Sequence, residues 1–253
     1  MYERMQILTE ADQSKIHLAT MDILRDIGIN FYDPEAVEIF KHHGIRVDGN
    51  TVHIEEKDIQ KALNTVPSQF QVNARNPEQS VIIGDDHLVI APGYGATAMI
   101  TPDRKQRLAV MADYDNFCRL VQTSKSIDMN GCLMVEPADR PAETAHLDQV
   151  FSNLVLCDKP CLGSSVSRQA AIDSIEMAAI AWGGKDKIKD RPVLMGIISS
   201  LSPLQYSAEM AGALIEYARH GQANMVALSM QAGATGPVTL PGLLAVQNAE
   251  VLA

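Results

Sequence analysis

The sequence predicts a mixed α/β protein: a partial TIM (β/α)8 barrel of about four βα units over residues 127–253, preceded by an α+β region over residues 1–126. Three observations predict it. Apolar runs recur every 32 residues, at Met129, Cys161, Val193 and Met225. Each run leads through a polar or Gly/Pro turn into a helical pattern. The runs are apolar throughout rather than alternating, as strands covered on both faces are. Such units build a parallel sheet with helices over it. Four of them are half of a barrel that takes about 250 residues, so the chain reads as the N-terminal portion of a longer protein. An open doubly wound sheet is the competing architecture.

The first elements follow from local signals. Thr9, with Asp12 in the first turn, caps a helix that runs to Gly28. Asp33-Pro34 opens a second helix, ending near Gly44. "IRVDGNTVHI" is a hairpin with Asp48-Gly49 in its turn, and a short helix covers residues 55–65. "QFQVNA", "SVIIG", "HLVIAP" and "TAMIT" read as strands, and a helix near residues 112–125 follows. The barrel helices are "PAETAHLDQVFSNLVLC", "RQAAIDSIEMAAIAWGG", "PLQYSAEMAGALIEYARHG" and "PVTLPGLLAVQNAEVLA". Gly183-Gly184 and Gly221 end two of them. Ser202-Pro203-Leu204-Gln205 reads as a capping box with Pro at N1, and Pro237 as the opening of the last helix.

Composition bounds the partners. A net charge of -10, with no Lys/Arg-rich block, argues against nucleic acid. No apolar run approaches the ~18 residues of a membrane span, and "MYERMQILTEADQSK" has no signal core. Cys118, Cys132, Cys157 and Cys161 form no Cys-x-x-Cys pair and read as reduced, buried thiols of a cytoplasmic protein. Several motifs fail on context. "GYGATA" at Gly93–Ala98 matches a dinucleotide fingerprint but enters a strand, not a helix. No Walker A lysine, H-E-x-x-H or Gly-x-Ser-x-Gly is present. His42-His43 at a helix end is a dipole contact. The His and Cys spacings fit no zinc site, so no metal is expected.

"DMNGCLMVEPADRPAETAHL", "DKPCLGSS", "IEMAAIAWGG", "RPVLMGIISSLSPLQY" and "GATGPVTLPGLLAVQNAEVLA" resemble the trimethylamine:corrinoid methyltransferase family. They are most similar to its branch that demethylates quaternary amines such as glycine betaine and lacks pyrrolysine. "APGYGATAMITPDRKQR" with "ADYDNFCRLV" resembles the hairpin-and-helix segment before the barrel. The resemblance covers nearly the whole chain. It implies a TIM barrel of roughly twice this length, a small methylated amine as substrate, and a corrinoid (cobalamin) carried by a partner protein, none bound covalently. A homo-oligomer is expected.

Methyl transfer from an ammonium nitrogen to cob(I)alamin needs a held cation and an aligned C–N bond. A quaternary amine leaves as a neutral tertiary amine, so no general acid is obligatory. The site calls for aromatic faces, a carboxylate, and donors for any substrate carboxylate. A barrel presents these at the C-terminal ends of its strands. Those ends carry Glu136; Ser164 and Ser165; Ser199, Ser200 and Ser202; and Met230, Gln231, Gly233, Thr235 and Gly236. The expected substrate contacts are Tyr94, Glu136, Ser164, Ser199, Tyr206 and Gln231. Tyr94 is expected near the strands' C-terminal mouth.

Gly233, Thr235 and Gly236 are expected to meet a corrinoid phosphate or a substrate carboxylate, because N–H groups at a helix start favour anions. No catalytic residue is assigned. Each candidate also has a plain alternative: Glu136 a solvated loop carboxylate, the serines turns and caps, the Gly-rich stretch a turn, and the tyrosines surface residues. Ser199 stands where the resemblance implies a larger amide. The functions in play are a methylated-amine:corrinoid methyltransferase, an inactive fragment serving as a binding or assembly module, and another barrel enzyme for a small cation.

Overall fold

Most local signals are realised in the computed structural model, which describes residues 6–253. Thr9 and Asp12 form the reciprocal cap of α1 (Glu10–Asp22), which a widened turn over Ile23–Ile27 continues to Gly28. After β1 (Ile29–Phe31), Asp33 accepts the amides of Glu35 and Ala36 at 2.9 and 3.0 Å and opens α2 (Pro34–His42). The hairpin β2 (Arg46–Asp48) and β3 (Thr51–His53) precedes α3 (Glu56–Leu63). Two further antiparallel hairpins follow, β4 (Gln69–Val72) with β5 (Val81–Gly84) and β6 (Ala98–Ile100) with β7 (Gln106–Leu108). Then come α4 (Met111–Thr123), α5 (Ala145–Leu156), β8 (Cys161–Leu162), α6 (Arg168–Trp182), β9 (Leu194–Ile198), β10 (Gln205–Tyr206), α7 (Ala208–Arg219), β11 (Ala223–Val226) and α8 (Leu240–Leu252). Among the described residues no helix is long and apolar enough to cross a membrane. Residues 1–5 of the N-terminal stretch lie outside the described residues.

Four expectations are corrected. "HLVIAP" is not a strand: the Asp128 carboxylate takes the Ile90 amide at 2.9 Å, where a ladder partner would stand. The run at Met129 contributes only a parallel bridge, Asn130 to Cys161, because Asn130 and Gly131 are drawn into side-chain bonds with Asn153 and Tyr114. Ser202 caps no helix. Gln205 and Tyr206 pair with Asn30 and Phe31 as a strand, and α7 begins only at Ala208, where Ser207 accepts the Met210 amide at 3.2 Å. The last helix opens at Leu240, not at Pro237.

The chain divides into two compact units interleaved in sequence. One comprises Met1–Pro67, Ile198–Gly212 and Val226–Ala253; the other, Ser68–Ile197 and Ala213–Met225. In the first, a sheet of order β10-β1-β3-β2 has β1 parallel to β10 and antiparallel to β3. Phe31 holds it together, with Phe40 at 4.8 Å and Tyr206 stacked at 5.2 Å. Helix α1 packs on α8 through Thr20, whose hydroxyl donates to the Ala245 carbonyl and accepts from Asn248.

In the second unit β8 pairs in parallel with β9, and β9 is hydrogen-bonded to β11 on its other side. A buried cluster of Met111, Tyr114, Cys118, Val121, Met134, Val135 and Cys157 forms the core under α4. Burying a side chain as large as Tyr114 contributes about 2 kcal/mol. Lys159 is buried beside this core. Its ammonium donates to the carbonyls of Val121, Ser124 and Ile127 at 2.9, 2.6 and 2.6 Å, satisfying the C-terminal end of α4.

Candidate substrate site

Tyr94, Glu136 and Ser164 belong to one unit; Ser199, Tyr206, Gln231, Gly233, Thr235 and Gly236 belong to the other. In the first group Tyr94 and Glu136 are brought together by backbone. Residues 94–96 run beside 133–136: the Gly95 amide donates to the Leu133 carbonyl at 2.6 Å, and the Glu136 amide donates to the Ala96 carbonyl at 2.9 Å. Burial pushes the Tyr94 phenol well above its usual range, and the nearby Glu136 carboxylate adds to it. The phenol therefore stays neutral, although the residue as a whole is 44% exposed.

Two clefts flank this segment. Tyr94 lines one of about 900 Å³ with Met99, Phe117 and Met134. Glu136, which is exposed, lines another of about 530 Å³ with Leu133, Arg140, His146, Gln149 and Val166. Both fall in the size range of small-molecule sites.

Ser164 is buried at the end of β8. Its amide donates to the Ser174 hydroxyl at 3.0 Å, and its carbonyl accepts the Tyr217 hydroxyl at 2.8 Å. The adjacent Ser165 is also buried, and its hydroxyl has no hydrogen-bond partner among the described residues. Ser167 caps α6.

In the other unit the Ser199 hydroxyl donates to the Ala227 carbonyl at 2.7 Å. Tyr206 is 4% exposed, its ring stacked on Phe31 and its hydroxyl donated to the Glu250 carbonyl at 2.7 Å. It is a packing residue and leaves no face for a cation. The Gly-rich loop does not present its amides. Gly233 donates to the Gly236 carbonyl, and Ala234, Thr235 and Gly236 all donate to the carbonyl of Gln231. The Thr235 hydroxyl accepts the Gln231 amide at 2.9 Å. Because α8 starts at Leu240, the loop is also not at a helix N-terminus. With every one of these donors engaged inside the loop, Gly233, Thr235 and Gly236 do not fit a corrinoid phosphate or a carboxylate through their N–H groups.

Sequence reasoning missed Glu250. This fully buried carboxylate on α8 accepts the hydroxyls of Ser200 and Ser202 at 2.5 and 2.7 Å and the Leu204 amide at 2.6 Å. The available signal was the one charged residue in the last helix, "LPGLLAVQNAEVL". Also missed was His146, whose Nε2 sits 2.8 Å from an Asp173 oxygen. Among the described residues no group of three His, Cys, Asp or Glu side chains is placed to hold a metal ion.

Comparison with known proteins decides the family. A family model described as "Trimethylamine methyltransferase (MTTB)" matches residues 1–253. The chain belongs to the trimethylamine methyltransferase family. Within it, the chain is 44% identical to the glycine betaine methyltransferase of Desulfitobacterium hafniense (strain Y51), over 98% of its own length and 52% of that protein's. It is 29% identical to the proline betaine:corrinoid methyltransferase of Eubacterium limosum, over 96% and 51%. The crystal structure of the Methanosarcina barkeri monomethylamine methyltransferase (MtmB) superposes with a TM-score of 0.62 at 15% identity, covering 97% of this chain and 51% of that one. The chain therefore spans about half the length of the curated relatives it matches, and shares the fold of the corresponding part of the monomethylamine enzyme. Membership in the trimethylamine methyltransferase family accounts for all the stretches of sequence that resembled it, from the hairpin at Ala98–Leu108 to α8.

Proposed function

We propose that this chain is part of an enzyme that moves a methyl group from a quaternary amine of the glycine betaine class to the cob(I)alamin of a partner corrinoid protein. The observation that carries the reading is the pairing of Tyr94 with Glu136, in a chain 44% identical to a glycine betaine methyltransferase. In this reading the ammonium head sits in the Glu136 cleft. The carboxylate balances its charge, and Tyr94, on the segment paired with it, lines the adjoining cleft. The corrinoid supplies the nucleophile when bound. The chain's residues bind and orient the amine, and no corrinoid contact is assigned to the Gly233–Gly236 loop.

The same reading takes residues 127–253 as the first half of a (β/α)8 barrel, with residues 1–126 as the α+β region before it. The parallel β8–β9 pair and the parallel Asn130–Cys161 bridge support it. It also takes the protein as cytoplasmic, in keeping with four free, buried cysteines, and as a homo-oligomer.

The test is methyl transfer to a reduced corrinoid protein, followed by cobalamin absorbance, with a full-length protein containing this chain. Glycine betaine is the expected donor. Glu136→Gln is expected to lower kcat/KM at least tenfold, a loss of about 1.4 kcal/mol of transition-state stabilisation. Inertness toward glycine betaine, proline betaine and trimethylamine alike would overturn the reading.

A further inference from the structure

The Glu136 cleft contains a titratable group to which the proposed function above gives no role. His146 stands in the first turn of α5, is 7% exposed, and lines the cleft together with Glu136 and Arg140. Its Nε2 lies 2.8 Å from Asp173 on α6, and the other Asp173 oxygen accepts the Gln169 side chain at 2.8 Å. Asp173 accepts the Nε2–H, which leaves Nδ1 as the ring nitrogen that can take up or give a proton. Among the described residues Nδ1 has no hydrogen-bond partner. The charged groups around the ring are Asp173 on α6, and Glu136 and Arg140 from the segment between the first apolar run and α5. Arg140 is itself engaged with Asp139 and Asp148. The hairpin residues on the cleft, Thr97 and Leu108, do not ionise.

We propose that His146, positioned by Asp173, is an acid–base residue of this cleft that protonates the tertiary amine formed when a quaternary ammonium loses a methyl group. The inference rests on the proposed function and deepens it. Loss of the methyl group leaves the amine nitrogen with a lone pair. His146 enters this step as the imidazolium, its Nδ1 having taken a proton from solvent; an N–H bond forms on the amine as the Nδ1–H bond breaks, which leaves the imidazole neutral. The product then carries the charge that Glu136 faces, while His146 is neutral and accepts the new N–H. A quaternary amine has no N–H to give, so the two ligands differ in the protonation state of His146 that they favour.

The experiment is isothermal titration calorimetry of N,N-dimethylglycine and of glycine betaine, in two buffers of different ionisation heat across the neutral range. The ring signal of His146 is followed by NMR in parallel. Dimethylglycine is expected to release more protons on binding than glycine betaine. In His146→Gln, whose amide still reaches Asp173, that difference is expected to vanish while glycine betaine affinity changes less than about threefold. In the full-length enzyme the same substitution is expected to lower turnover about a hundredfold. If glycine betaine binds and the proton difference persists in His146→Gln, the inference falls and the proposed function stands. If neither ligand binds the wild-type protein, the Glu136 cleft is not the amine site, and both fall.

Discussion

Tyr217 on α7 donates its hydroxyl to the carbonyl of Ser164, which lies 53 residues earlier in the chain and 2.8 Å away. The ring is fully buried, and glycine stands at the two backbone positions it passes, Gly163 just after β8 and Gly196 in β9. A Cβ on Gly163 would collide with its hydroxyl, and one on Gly196 would lie 2.6 Å from the ring. The end of β8 is thus set by a residue on a helix two strands later.

This arrangement makes two substitutions interdependent. Tyr217→Phe leaves a buried carbonyl short of a donor and is expected to cost about 1 kcal/mol. Gly163→Ala overpacks the contact and is expected to cost about 2 kcal/mol or more. In the double variant the missing hydroxyl makes room for the new methyl group, so the combined loss should be smaller than the sum. Urea denaturation of the three variants measures it; strict additivity would refute the coupling.

Glu250 is the hub of the segment between β9 and β10. The Ser200 and Ser202 hydroxyls lie 3.0 Å apart, so replacement of Glu250 by Ala leaves one of them and the Leu204 amide without an acceptor inside the protein, at a cost of about 3 kcal/mol. Glu250→Gln keeps one oxygen acceptor and should cost less. Limited proteolysis should report new cleavage within residues 199–206 in the Ala variant, and an unchanged digestion pattern would count against this role.

Arg107 holds the buried Asp113 carboxyl below its usual range, helped by the Val110 amide. A depressed carboxylate binds fewer protons in the folded state than in the unfolded one. Its stabilisation is therefore complete above the unfolded value, near 3.8, and is lost as pH falls through the lower folded value. Asp113→Asn should flatten the acid limb of stability below about pH 4 and leave its slope at neutral pH unchanged. Denaturant midpoints across the acid range test the sign.

All four cysteines are free and buried. Burial pushes the Cys118 and Cys161 thiols up to about 12, and raises those of Cys132 and Cys157 as well. Thiols without thiolate character or access are inert. None should react with a disulfide reagent at neutral pH in the native protein, and all four should react in denaturant. Rapid labelling of even one native thiol would mean that the core over Cys118 and Cys157 opens locally.

The outcome at the candidate residues divides by where their partners lie. Glu136 and Tyr94 were identifiable as types, a carboxylate at the end of an apolar run and an aromatic in a Gly-rich approach. Their adjacency comes from the pairing of residues 94–96 with 133–136, which no local signal announces. Tyr206 was misread because a tyrosine after Ser-Pro looks like an exposed first-turn residue. Its burial depends on Phe31, far back in the chain. The Gly233–Gly236 loop was misread because its composition suits open amides, whereas its amides close on Gln231 and Gly236.

What the sequence determined by itself are the elements whose causes lie within a few residues: the Thr9–Asp12 cap, the Asp33-Pro34 start of α2, the Asp48-Gly49 hairpin, the Gly183 stop of α6, and the 32-residue recurrence that places β8, β9 and β11. Tertiary structure alone decided the rest. Asp128 displaced a strand at Ile90, Glu250 and β1 turned a helix start at Ser202 into a strand, Tyr217 set the end of β8, and Asp173 turned His146 into an oriented ring. The physical reason is the same in each case. A cap, turn or apolar period is favourable with only its neighbours in place, whereas a buried carboxylate, phenol or imidazole takes the partner that the completed packing leaves within 3 Å.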